Sequence, residues 1–200
     1  MSKLEAVLKG LSPQIVFFVS IGALIALTWL LGDTGVRALQ LDPEGIEQAE
    51  FWRLLTGHLV HTNLWHLLLN IASLTLIAML FSALLSVKEW GVVFIASALL
   101  ISCAYLLLSP DFDHYVGLSA VLYAVIIVGA CFDIKTHPVI ATTVLVIVTG
   151  RVIWQQYSGA VDELAHLINA RVAIESHLYG VITGYLLAGM LFIVRLKTTR

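Results

Sequence analysis

Two separated segments of the sequence carry residue types that could together perform nucleophilic catalysis. Ser119 follows Gly117 by two positions at the start of an apolar stretch, and Tyr123 follows one helical turn later. His177 lies far along the chain, three residues before Gly180 in another apolar stretch. A histidine within hydrogen-bond distance of a serine activates the hydroxyl as a nucleophile. A serine at a helix start is more often an N-cap, so the interpretation depends on whether the two segments meet.

A glycine pattern favours such a meeting. Gly180 and Gly184 form a G-x-x-x-G motif, which lets two membrane helices approach until their backbones touch. His177 projects along the same helical face, and the segment that begins at Ser119 offers small residues such as Ala120 as a partner surface. We therefore predict that His177 reaches Ser119 and acts as its general base.

The predicted pair is a dyad, because no carboxylate is placed to complete a triad. Glu175 is two residues from His177 and points elsewhere on the helix, so the ring of Tyr123 is expected to stack on the imidazole and hold its orientation. Peptide hydrolysis produces an oxyanion that needs preorganised donors. His66 and Asn70 are four residues apart and share a helical face, and they are predicted as donors together with the serine backbone N–H.

Two further histidines admit a metal-binding interpretation. His58 and His61 are three residues apart and could chelate an ion, but the sequence contains no H-E-x-x-H motif and no carboxylate or cysteine close to them. We therefore expect no metal and no cofactor, and an interhelical packing role for His61. Cys103 and Cys131 both fall in apolar stretches and are interpreted as small hydrophobic residues.

The composition indicates the environment of these residues. Of the 200 residues, 60% are hydrophobic and 12% are charged, and the mean hydropathy is +0.95. A soluble domain has about a quarter charged residues, so the composition excludes an ordinary soluble globule. The formal charge of −2 provides no basic surface for nucleic acid. We predict an all-α membrane protein with a single domain over residues 1–200.

Six apolar stretches approach the roughly 20 residues that a helix needs to cross a bilayer. They predict transmembrane helices at residues 14–31, 54–81, 90–108, 117–132, 138–154 and 174–194. The second predicted helix includes His58, His61 and Asn63 as well as His66 and Asn70. The fourth spans only about 24 Å, and a helix that stops short leaves a dent that can hold water.

The distribution of charge predicts the orientation. With a cytoplasmic N-terminus, seven of the 11 basic residues lie inside: Lys3, Lys9, Lys88, Lys135, Arg195, Lys197 and Arg200. Ten of the 13 acidic residues then lie outside, which follows the positive-inside rule. Both termini are expected in the cytoplasm, and the first helix is expected to remain uncleaved.

Two outer segments flank the predicted dent. Trp52 and Arg53 end the first outer loop and are interpreted as an interface anchor, with the ring among the headgroups and the guanidinium in water. Residues 158–171 place apolar side chains on one stripe, which predicts a short helix on the outer surface. This helix is either a lid over the dent or a segment that rests on lipid.

These motifs together resemble the rhomboid family of intramembrane serine proteases over the region from Glu50 to Gly184. The matching residues are Trp52-Arg53 for the first-loop motif, His61, His66 and Asn70 for H-x4-H-x3-N, Gly117 and Ser119 with Tyr123 for G-x-S and its stacking tyrosine, and His177, Gly180 and Gly184 for the base and its glycines. The resemblance implies a six-helix bundle in which Ser119 is the nucleophile and His177 the general base. It implies an oxyanion hole from His66, Asn70 and the serine amide, without metal or cofactor.

Ala120 stands where the family usually has the second glycine of G-x-S-G. This G-x-S-A sequence, the H-T-N-x-x-H stretch from His61 and the small size are most similar to the rhombosortase subfamily. That resemblance implies an enzyme of the bacterial cytoplasmic membrane. Its expected partners are lipid and substrate proteins that end in a Gly-Gly motif, a membrane helix and a basic tail.

Two other functional classes remain as alternatives. A rhomboid-like pseudoprotease would bind membrane helices without cleaving them, but such relatives typically lose either the serine or the histidine. A small transporter would explain histidines in the membrane as a proton path, but the sequence shows no internal repeat.

Overall fold

The computed structural model describes residues 12–109, 112–159, 162–168 and 173–198. Within these ranges the chain is helical, and its β-type pairing is limited to one isolated antiparallel bridge between Leu41 and Tyr115. The helices are α1 (Pro13–Trp29), α2 (Gly32–Leu39), α3 (Pro43–Glu47), α4 (Arg53–Thr56), α5 (Leu64–Phe81), α6 (Val87–Leu108), α7 (Ser119–Asp133), α8 (Pro138–Ser158), α9 (Asp162–Ile168) and α10 (Ile174–Thr198), with a 3-10 turn at Ser82–Leu84.

Four of the described helices are long and apolar enough to cross a membrane: α5 with the turn that follows it, α6, α8 and α10. Helices α1 and α2 give a fifth candidate span if the pair, which is bent by 114°, is counted as one. Helix α7 is apolar but has only 15 residues. The prediction of an all-helical, multi-pass membrane protein is confirmed at this level.

Helix α5 begins ten residues later than predicted, at Leu64 and not at residue 54. His58 and His61 precede it in a non-helical segment, so the prediction that they lie on this helix is wrong. The physical reason is Asn63, which has an extended backbone and caps the helix. Its side-chain oxygen accepts a hydrogen bond from the His66 N–H at 2.9 Å. The other five predicted stretches differ from the observed helices by at most four residues at either end.

Helix α7 lies at the centre of the bundle and packs against α5, α6, α8 and α10. Val125, Ile127 and Val128 are fully buried. Its most extensive contact is with α10, where a Cβ on Gly180 would collide with the backbone carbonyl of Ala120. A Cβ on Gly184 would lie 2.8 Å from the backbone carbonyl oxygen of Ala124, one turn further along α7. The two glycines therefore allow the backbones of α7 and α10 to touch.

Arg53 is buried in the loop that precedes α4 and binds several of its residues. Its guanidinium donates hydrogen bonds to the Arg37 and Gln40 carbonyls at 2.9 and 2.8 Å and pairs with Asp42 and Glu50. The residue is only 9% exposed, so the prediction that this guanidinium lies in water is wrong. The carbonyl and carboxylate oxygens of the loop accept the hydrogen bonds that water would otherwise accept from the guanidinium. The ring of Trp52 is exposed.

The outer loop also fixes the backbone that leads into α7. Leu41 and Tyr115 exchange two backbone hydrogen bonds, at 3.1 and 2.7 Å. The Gly117 N–H donates to the Gly57 carbonyl at 3.0 Å, and the Tyr115 hydroxyl donates to the Gly117 carbonyl at 2.7 Å. The position at which α7 begins is therefore set by contacts with the segment that joins α1 to α5.

The predicted outer helix is observed in part, since α9 covers residues 162–168. Residues 160–161 and 169–171 of the predicted segment lie outside the described residues. Helix α9 is bound to the start of α5 through two carbonyls. The Thr62 hydroxyl donates to the Ile168 carbonyl at 2.9 Å, and the Asn63 amide donates to the Leu167 carbonyl at 3.0 Å.

Candidate active site

Ser119 is the first residue of α7, and its side chain does not cap the helix. The N-cap position is Leu118, and no side-chain capping bond is formed there. The backbone of Gly117 has φ of +114°, which side-chain-bearing residues rarely adopt. A Cβ at this glycine would also lie 2.6 Å from the ring of His66. The glycine therefore turns the chain into α7 and lets the His66 ring lie against it.

Helix α10 brings His177 to this serine. The Ser119 Oγ lies 3.1 Å from His177 Nε2, and the histidine is 6% exposed. The ring of Tyr123, one turn along α7, lies 4.6 Å from the imidazole centroid at a tilt of 41°. A hydroxyl that meets an imidazole nitrogen at this distance has the geometry of a serine nucleophile and its general base.

The other nitrogen of His177 contacts a residue that the sequence reasoning missed. Gln155 Oε1 lies 3.2 Å from His177 Nδ1, and Gln155 is 1% exposed. The predicted fifth stretch ended at residue 154, whereas α8 continues to Ser158 and so includes this glutamine. The available signal was an uncharged polar residue directly after an apolar run, which does not indicate by itself a contact with α10.

His66 is held through Thr62. The Thr62 Oγ1 lies 3.1 Å from His66 Nδ1, and the same hydroxyl donates to the Ile168 carbonyl. Because the hydroxyl has one proton, His66 Nδ1–H must donate to Thr62 in this arrangement. A neutral His66 then presents Nε2 as an acceptor. It becomes a donor at Nε2 when the Thr62 hydroxyl turns from Ile168 to His66 Nδ1.

Asn70 lies one turn further along α5 and is 3% exposed. Its amide nitrogen donates to the backbone carbonyl of His66 at 3.0 Å. An amide nitrogen carries two hydrogens, so this bond leaves the second N–H of Asn70 for a ligand.

His58 and His61 do not enter the contact between Ser119 and His177. His58 Nε2 lies 3.1 Å from the Ala98 carbonyl and 3.0 Å from Ser102 Oγ, and it is buried. His61 is 2% exposed, with its ring centroid 4.9 Å from that of His66. Both ring nitrogens of His61 are buried. Across the described ranges, no three His, Cys, Asp or Glu side chains are grouped so that they could hold a metal ion.

A single cavity of about 980 Å³ connects these groups. Its lining includes Ser119, His177, Tyr123, His66 and Asn70. The cavity also reaches three ionisable residues, Asp113, His114 and Glu175, and two residues of the α9 contact, Thr62 and Ile168. A substrate segment in this space would therefore contact the nucleophile, the base and the two candidate oxyanion donors together.

Comparison with known proteins identifies a family. The Rhomboid domain matches residues 48–194, which is about three quarters of the chain. The matched region begins before Trp52 and ends after Gly184, so it includes every candidate site residue. No curated protein matches the chain at a significant level.

Proposed function

Because the chain belongs to the rhomboid family, we propose that it is an intramembrane serine endopeptidase with Ser119 as nucleophile and His177 as general base. The observation that carries this proposal is the 3.1 Å contact between Ser119 Oγ and His177 Nε2 inside a cavity large enough for a peptide segment. The family acts on membrane proteins, and substrate access to this cavity fits that class.

The chemistry proceeds in two steps. Ser119 Oγ attacks the scissile carbonyl carbon while its proton passes to His177 Nε2, and the new C–O bond gives a tetrahedral oxyanion. Collapse of this intermediate breaks the C–N bond, and His177 returns the proton to the leaving amine. Water, deprotonated by the same imidazole, then attacks the acyl-enzyme ester and releases the second product along with the serine hydroxyl.

Three donors are proposed for the oxyanion. The Ser119 N–H lies in the first turn of α7, where backbone N–H groups have no intrahelical acceptor. The second N–H of the Asn70 amide completes the set together with His66 Nε2, which donates in the tautomer whose Nδ1 accepts from the Thr62 hydroxyl. Removal of one such donor typically slows catalysis about 10²–10³-fold.

We propose that α1 and the short α7 also count as spans, which gives six transmembrane helices with both termini in the cytoplasm of a bacterial cell. The acidic outer loops and basic inner ends support this orientation. The site then lies near the outer membrane face, because the outer loop and α9 adjoin it.

The proposed substrates are proteins anchored by a C-terminal Gly-Gly motif, a membrane helix and a basic tail, as in rhombosortases. Ala120 in G-x-S-A and the H-T-N-x-x-H stretch from His61 support this narrower assignment. Cleavage would free the substrate from its anchor at the outer face. Glycine next to the cut favours an unwound segment, because a peptide bond inside a helix has its carbonyl hydrogen-bonded.

The test uses purified protein in detergent and a reporter that ends in Gly-Gly, a membrane helix and a basic tail. Wild type, Ser119→Ala, His177→Ala and Ser20→Ala are compared, each with and without a chelator. Ser20 is an exposed serine on α1 and serves as the matched control. We expect cleavage by wild type and Ser20→Ala, independent of the chelator.

Cleavage that survives Ser119→Ala would contradict the proposal. A second reporter carries a generic membrane helix. If the wild type binds both reporters and cleaves neither, the protein is a pseudoprotease. Cleavage of the generic reporter alone would keep the protease and exclude the rhombosortase assignment.

A further inference from the structure

Helix α8 exposes most of its surface and buries only three of its side chains: Ala141, Val152 and Gln155. Two of these residues are small and apolar, and the third carries an amide. An amide buried on a membrane helix is costly unless its polar atoms are paired. The position of Gln155 therefore calls for a specific partner.

That partner is the imidazole of His177. Gln155 Oε1 has no proton, so its 3.2 Å contact with Nδ1 is a hydrogen bond only if Nδ1 carries the proton. A neutral imidazole has one such proton, and Nε2 then presents its lone pair to Ser119 Oγ at 3.1 Å. This is the tautomer that can accept the serine proton.

We propose that Gln155 is a positioning residue that selects this tautomer of His177 and fixes the rotation of its ring. The kinetic consequences rest on the proposed protease function. Tyr123 covers one face of the ring, and a face contact does not distinguish the two nitrogens. An amide oxygen does distinguish them, and it does so without adding a charge to the site.

The first test does not depend on proteolysis. Protein with ¹⁵N-labelled imidazoles is purified in detergent, and the His177 signals are assigned by their loss in His177→Ala. Two-bond ¹H–¹⁵N correlations distinguish the neutral tautomers. We expect the proton on Nδ1 in wild type and a loss of this preference in Gln155→Leu. A proton on Nε2 in wild type, or the same tautomer in both proteins, would overturn the proposal.

The second test separates positioning from packing. Gln155→Leu keeps the volume of the side chain but removes the acceptor, and we expect kcat to fall about 10- to 100-fold with KM nearly unchanged. The control is Gln156→Leu, because Gln156 is exposed and donates to the Ile174 carbonyl at 2.8 Å. Both variants lose one bond between α8 and α10. Equal kcat in the two variants would overturn the proposal.

A charged acceptor gives the third test. Gln155→Glu restores an oxygen at Nδ1 and adds a negative charge that favours the imidazolium. We expect most of the kcat lost in Gln155→Leu to return and the acid limb of the pH–rate profile to move to higher pH. Other titratable groups lie close to His177 or line the same cavity: His66 from α5, Tyr123 from α7, Arg151 from α8 and Glu175 from α10 itself.

These groups are the same in wild type and in both variants at position 155, so differences among the profiles report the new side chain. A Gln155→Glu variant with the kcat and profile of Gln155→Leu would overturn the proposal. A wild type that cleaves no substrate would contradict the protease function alone, because the tautomer measurement would still test the role of Gln155.

Discussion

Two of the histidines that line the cavity, His66 and His177, are held in different ways. His177 is fixed between packed helices, with partners on α7 and α8 and a glycine contact behind it. His66 lies in the first turn of α5, and its ring nitrogen depends on Thr62, a loop residue that is also bound to α9. The side of the site that holds the proposed base is therefore part of the packed core of the helix bundle. The side proposed for the oxyanion depends on a loop residue and on α9.

The different supports of His177 and His66 correspond to two requirements of the proposed proteolysis. The nucleophile and its base must keep their geometry through both steps, and close helix packing supplies that rigidity. The proposed oxyanion donors are required only once substrate is bound. The dependence of the His66 tautomer on Thr62 and α9 fits this requirement, because the donor is needed only after substrate binds.

The largest expected effect comes from the core side. Ser119→Ala and His177→Ala should each lower kcat about 10⁴-fold or more, because neither group transfers the proton alone. The double variant should be no slower than either single variant, since the residues act as a unit. Cleavage rates measured at saturating substrate test this expectation. Multiplying effects in the double variant would mean that the two residues act independently.

A second prediction tests the packing behind His177. Gly180→Ala places a Cβ against the backbone carbonyl of Ala120 and should lower the free energy of unfolding by about 1–3 kcal/mol, with a parallel loss of activity. Gly189→Ala on the same helix is the control, because no atom lies within 4 Å of its Cβ. Thermal midpoints in detergent and cleavage rates are measured together. Equal midpoints for the two variants would show that α7 and α10 are not in close contact.

A third prediction tests the contact between Thr62 and His66. Thr62→Val keeps the shape of the side chain but loses the hydroxyl that bonds His66 and Ile168, and we expect kcat to fall about 10-fold through the loss of a polar contact to the donor. Thr62→Ser should retain most of the activity because it retains the hydroxyl. The control is Thr75→Val, since the Thr75 hydroxyl is exposed and bonds only within α5. Wild-type kcat in Thr62→Val would show that His66 does not depend on this contact.

The features that the sequence could predict are those of the packed helices, and the features that it could not predict depend on caps and on contacts between separate segments. His177 and Gly180 follow helical spacing, and small residues at that spacing indicate a helix contact without knowledge of the fold. The start of α5 was misplaced because residues 54–63 are apolar enough to continue a span, and hydropathy does not detect a cap such as Asn63. Gln155 is not detected because its partner, His177, lies on another helix, and no local pattern reports that contact. The burial of Arg53 is not detected because the backbone carbonyls that accept from it are brought to it only by the folded loop.

The smallest expected effect concerns Ala120, where the chain departs from its family. Ala120 is fully buried in the first turn of α7, and its backbone carbonyl faces Gly180. Ala120→Gly removes a buried methyl group and introduces a flexible residue into a helix, so stability should fall by about 1–2 kcal/mol. Activity should change less than threefold, because the contact with Gly180 is made by the backbone and is retained. A large gain in kcat would instead show that the methyl group restricts the site, and Gly180 would then not be the feature that sets the separation of α7 and α10.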